Sequence, residues 1–187
     1  MIRDSLRGYG LISILLHWGS AAAILLLFGL GFYVVYFGYS TTTYLPYAHL
    51  HYALGIAVFA VIILRIVWRL TSKTPASLSN KTTVKLTVSA IKFFLYVLVL
   101  VVIVSGYLIC TSDGQIIDVF GVFKMPSLIQ LENAGVNIAS LAHKYVAWVL
   151  GGIIVLHVGA ALIHHFVVGD RTLKRMLIPA TKQKNEL

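Results

Sequence analysis

Acidic residues are scarce in this chain. Six Asp and Glu stand against fifteen Lys and Arg in 187 residues, and none of the six falls inside a long apolar run. Those runs therefore lack the hard oxygen ligands with which a channel or carrier compensates a passing divalent cation. One cysteine, Cys110, excludes an internal disulfide. Charged residues of either sign make up only 11% of the chain, whereas hydrophobic ones make up 59%, with a mean hydropathy of +0.89. Such a composition excludes an ordinary soluble domain. Four apolar segments are long enough to span a bilayer: Leu11 to Phe37, Leu50 to Leu70, Ile91 to Cys110 and Leu141 to Val168. Their length also excludes the short alternating strands of a membrane barrel. The expectation is an all-α integral membrane four-helix bundle, one domain over residues 1–187.

The first segment has basic residues before it, as a signal peptide would, but its apolar run outlasts a cleavable h-region, so it reads as a retained helix. The net charge of +9 does not form a soluble basic patch, and nucleic acid is not an expected partner. The basic residues instead flank membrane segments. Arg3 and Arg7 precede the first; Arg65, Arg69, Lys73, Lys81, Lys85 and Lys92 flank the middle connection; Arg171, Lys174, Arg175, Lys182 and Lys184 follow the last. Only Lys124 and Lys144 fall on the other side. By the positive-inside rule both termini and the middle connection face the cytoplasm. Arg65 and Arg69 are one turn apart, and for at least one of them the stronger reading is a side chain snorkelling to lipid phosphates.

Histidine is the polar residue that the spans do contain. His143 and His157 are fourteen positions apart, nearly four helical turns, so both project from one helix face about 21 Å apart along the axis. His17 lies near the inner end of the first segment. His49 and His51 both fall near the outer end of the second, on nearly opposite faces. His51 is the preferred ligand because Gly55 one turn below leaves room for a planar group, and His49 becomes an interfacial or hydrogen-bonding residue. By depth, His17 pairs with His157 and His51 with His143, the latter level with a thin spot at Ser105-Gly106. Two axial imidazoles from different helices are what a six-coordinate b-type haem requires. Two couples imply two haems stacked across the membrane, held non-covalently because no C-x-x-C-H run is present. Single histidines can also bond across helices, and zinc favours imidazole, so a His-lined metal-ion permease is the alternative from another class. The two separated levels and the absence of acids in the spans favour haem.

The runs I-S-x-x-x-H-W at Ile12 to Trp18, H-x-x-x-G-I at His51 to Ile56, R-x-x-W-R at Arg65 to Arg69 and H-x13-H-x6-H-H at His143 to His165 resemble the bacterial cytochrome b561 family. The likeness covers nearly the whole chain, and S-D-G…V-F-G-V-F at Ser112 to Phe123 resembles one subgroup. It implies a multi-pass di-haem b cytochrome of the bacterial inner membrane. His17 and His157 would ligate the cytoplasmic-side haem, His51 and His143 the periplasmic-side haem, and His164 would contact quinone. Relatives in this family are similar to cytochrome b subunits of nickel hydrogenases and to a member that passes electrons from superoxide to ubiquinone. The expected activity is electron transfer between the quinone pool and a periplasmic donor or acceptor. The alternative within the same class is a membrane anchor for a hydrogenase or dehydrogenase. For haem propionates, His49 and Lys144 are the outer candidates and Arg7, Arg171 or Lys174 the inner ones. The long connection Thr111 to Ser140 is expected to fold over the outer end of the bundle as a lid or docking surface.

Overall fold

The computed structural model describes residues 1–37 and 44–180. Lys182 and Lys184, and most of the Tyr- and Thr-rich connection after the first helix, lie outside the described residues. Four helices run α1 (Leu11–Tyr36), α2 (Tyr44–Thr71), α3 (Thr82–Cys110) and α4 (Asn133–Ile163). Each is long and apolar enough to cross a membrane. Most large apolar side chains are exposed, Val155, Leu156 and Phe166 among them, as expected where hydrocarbon rather than water surrounds the bundle.

Three helices exceed the apolar cores expected above. Among the described residues α2 begins at Tyr44 and takes Pro46 into its first turn, where a missing N–H costs nothing. The segment ahead of Ile91 is helical as well, continuous with α3 from Thr82. In α4 eight residues of the expected loop, Asn133 to Ser140, are helical.

The bundle is built from two helical hairpins. The closest backbone packing is α1 on α2 and α3 on α4, with a smaller α2 to α3 seam, while α4 barely meets α1 or α2 at the backbone level. At mid-depth Val58, Ile62, Val99 and Leu150 form an aliphatic layer, joined by Ile24, Leu27 and Phe28 of α1. The outer connection contains a short antiparallel pair, β1 (Ile117–Val119) and β2 (Phe123–Met125). Phe120 and Gly121 turn it with φ of 58° and 72°, a pairing suited to the twist of a tight hairpin. Strand β1 packs against α2, with Ile117 buried, so this connection does cover that end of the bundle.

The opposite end is knotted by hydrogen bonds among the two termini and the middle connection. The Met1 ammonium donates to the Ala180 carbonyl, and Ala180 N–H to the Tyr9 carbonyl. Arg175 donates to the carbonyls of Ala76 and Arg7. Asp4 is the centre of this knot. Its side chain is fully buried and accepts from Gly10 N–H at 2.7 Å and Ser13 Oγ at 2.8 Å, with Arg69 at 3.5 Å. Trp68 Nε1–H donates to the same Ser13 hydroxyl. Gly10 passes directly beneath the Ile2 and Arg3 carbonyls, where any Cβ would collide. Arg69 thus finds a carboxylate within the protein rather than a lipid phosphate. Asp4→Ala strips three partners at once and is expected to lower stability by about 1–3 kcal/mol. Thermal unfolding in detergent, followed by circular dichroism, checks this; a melt equal to that of the unaltered chain would count against the knot.

Candidate functional site

The gap between the hairpins is bridged by imidazoles. His17 of α1 faces His157 of α4 with ring centroids 6.4 Å apart, and His51 of α2 faces His143 of α4 at 6.2 Å; both pairs meet at 76°. The four histidines therefore meet in the two couples expected from depth alone. A metal–imidazole bond is about 2 Å long, and a ring nitrogen lies about 1 Å from its ring centre, so two imidazoles trans on one metal have centroids about 6 Å apart. Both couples fit that separation. Among the described residues no three His, Cys, Asp or Glu converge as a metal cluster.

Neighbouring groups hold each ring differently. His143 Nδ1 lies 2.8 Å from the Val102 carbonyl oxygen; a carbonyl only accepts, so Nδ1 carries the proton and the Nε2 lone pair is free for a metal. Gly106 lets this ring approach α3, since a Cβ there would sit 2.8 Å from His143 Cε1. The thin spot read at Ser105-Gly106 is thus the seat of the His143 ring, and Ser105 Oγ bonds back to Val101 and Val102. His51 Nδ1 is buried without a hydrogen-bond partner. Gly31 of α1 lies against its ring, with a Cβ position 3.2 Å from Cε1. A Cβ on Gly55 would meet open space. His49 is exposed on the other side of α2, in an open groove with Asp118 and Phe120.

His17 has a partner that sequence reasoning missed. Arg65 Nη2 is 2.7 Å from His17 Nδ1, and its Nη1 donates to the fully buried Ser20 Oγ at 2.7 Å. Its guanidinium carbon also lies 5.6 Å from the centre of the Tyr96 ring. Arg65 points into the bundle and does not snorkel. The signal was available: Arg65 falls six residues short of the end of α2, and a cation inside a span is a functional candidate by default. Of the residues expected to hold anionic groups, Arg7, Arg171, Lys174, His49 and Lys144 are all exposed. Lys144 lies over the Tyr145 ring.

At the knotted end α4 passes into a π-helical turn over His164–Val168, closed by Gly169 at φ 72°. Single π turns in α-helices frequently mark functional positions. Here the turn brings His164 Nδ1 to 2.6 Å from Asp170 Oδ2. Hydrogen bonds from the Thr172 hydroxyl, then from the Thr172 N–H and His164, hold the Asp170 carboxyl below its ordinary carboxylate range. His165 stacks edge-on against Phe166 instead.

Comparison with known proteins agrees with this geometry. The family model described as prokaryotic cytochrome b561 matches residues 8–178. The protein "Cytochrome b561 homolog 2" of Escherichia coli (strain K12) is 37% identical over 170 residues, covering 90% of each chain. Four membrane-spanning helices, histidines coupled across them and a match over nearly the whole length make one case: the chain belongs to the prokaryotic cytochrome b561 family, multi-pass membrane cytochromes that bind haem b and transfer electrons.

Proposed function

We propose that this protein is a di-haem b-type cytochrome of the bacterial inner membrane that transfers electrons between the quinone pool and a periplasmic donor or acceptor. The observation that carries this reading is the pair of imidazole couples at separations of 6.4 and 6.2 Å. His17 and His157 would hold one haem iron, and His51 and His143 the other. Haem b, when bound, would supply one-electron chemistry, and His17, His51, His143 and His157 are the residues that would hold it. The chain's own part is to fix the two sites on one rigid helix, about 21 Å apart along α4. The aliphatic layer of Val58, Ile62, Val99 and Leu150 keeps water from the space between them.

Orientation follows from charge. The knotted end gathers Arg3, Arg7, Lys73, Arg171, Lys174 and Arg175, which supports placing both termini in the cytoplasm. His164 stands at that end. With Nδ1–H donating to Asp170, its Nε2 is available to exchange a proton with a quinone oxygen, as ubiquinone takes up two electrons and two protons or its quinol releases them. On the other side the hairpin tip exposes Phe120, Val122 and Phe123. Such an apolar tip beyond the bundle favours a second reading, an anchor subunit docked to a dehydrogenase or hydrogenase. Quinone turnover by the purified chain alone supports the first reading; strict dependence on a co-purified periplasmic protein supports the second.

His157→Ala and His143→Ala are each expected to remove one of two haem equivalents while the helices still insert, as read by a pyridine haemochrome assay beside far-ultraviolet circular dichroism. Full haem content in both variants would overturn the ligand assignment. Gly106→Ala forces the His143 ring aside and should remove the same equivalent as His143→Ala, leaving the spectrum of the other haem unchanged. His164→Ala should keep both haems and slow electron exchange with ubiquinone by about a hundredfold, measured by stopped-flow absorbance; an unaltered rate would exclude His164 from proton transfer.

A further inference from the structure

We propose that Arg65 receives a propionate carboxylate of the haem held by His17 and His157. This rests on the ligation proposed above. Three observations lead to it.

The first concerns charge. Arg65 is a permanent cation within a membrane span, and a guanidinium cannot shed its proton. Among the described residues no carboxylate lies within ion-pair distance of it; its partners are the neutral Ser20 hydroxyl, the His17 ring and the Tyr96 side chain. Ionisable groups at such depth are ordinarily paired.

The second concerns protons. Arg65 only donates, so His17 Nδ1 must accept and the ring's one proton sits on Nε2. Were His17 to hold a metal through Nε2, its proton would belong on Nδ1, and two donors would then face each other. Arg65 must then find another acceptor. His143 needs no such change, because its Nδ1–H already donates to Val102. The two couples therefore differ: a cation stands against the ring nitrogen of His17, whereas a carbonyl stands against that of His143.

The third concerns position. His51 and Arg65 are fourteen residues apart on α2, the same interval that separates His143 from His157 on α4. The α2 face that presents a ligand at one level thus presents the guanidinium at the other. The group entering between His17 and His157 brings carboxylates of its own, and the planar fork of arginine matches a carboxylate through two parallel hydrogen bonds.

The test compares haem with its dimethyl ester, in which both propionates are uncharged. The apoprotein carrying His143→Ala, so that only the His17–His157 couple binds, is titrated in detergent micelles with each porphyrin and followed by the bis-imidazole absorbance. With Arg65 present, the ester should bind about tenfold or more weakly. Arg65→Gln should weaken haem binding to the same degree and leave ester binding unchanged, and Arg65→Lys should retain part of the discrimination. Equal affinity for haem and ester in the chain that keeps Arg65 would overturn the proposal, whatever the folding of the variants. Equal losses for both porphyrins in Arg65→Gln would overturn it as well, since they would mark a packing residue or a cation serving lipid phosphate. Failure of either porphyrin to give a bis-imidazole spectrum at this site would instead remove the ligation on which the proposal stands.

Discussion

A polar ring placed in hydrocarbon has to meet its partners inside the protein, because the surrounding solvent offers none. In this bundle that constraint is met across the gap between two helical hairpins. The backbones of α1 and α2 stand off from α4, and the intervals are spanned by His17 with His157 and by His51 with His143. Much else follows from holding those rings. Gly106 and Gly31 have no Cβ because an imidazole occupies that volume, and the Val102 carbonyl fixes which nitrogen of His143 remains free.

A common interval orders all four helices. His17 and Gly31 on α1, His51 and Arg65 on α2, Lys92 and Gly106 on α3, and His143 and His157 on α4 are each fourteen residues apart. Four turns of helix thus carry every element from one level to the other, with the aliphatic layer between them. The two levels are chemically unequal. One is bounded by glycines and a carbonyl, which leave the rings neutral surroundings. Cations, Arg65 and Lys92, are the corresponding members at the other.

The two ends of the bundle are also finished differently. The runs flanking the membrane at the basic end are consumed in mutual hydrogen bonding around Asp4, so that Arg65, Trp68 and Arg69 of one motif each serve a separate partner, His17, Ser13 and Asp4. The same end carries the π turn that sets His164 against Asp170. At the opposite end a two-stranded hairpin lies over α2 with its apolar tip outward. The two ends thus differ, one tied by hydrogen bonds around Asp4 and the other projecting an apolar tip.

The sequence by itself determined the class of fold, the number of spanning helices and the four coupled histidines. These are properties of apolar run length and of a 3.6-residue period, which act locally and survive without knowledge of neighbouring helices. It also singled out Ser105-Gly106, because small residues carry their meaning on the chain. Helix ends were less legible: Pro46 and the polar first turns of α3 and α4 look like loop, yet they are helical because the bundle carries them past the apolar core. Only the tertiary structure decided that Arg65 turns inward to His17 and that Asp4 rather than lipid answers Arg69. It alone shows that Gly31, a helix away in sequence, makes room for His51. An interval along one helix gives the face and depth of a side chain, but its partner depends also on what the neighbouring helix offers at that depth, which the interval does not encode.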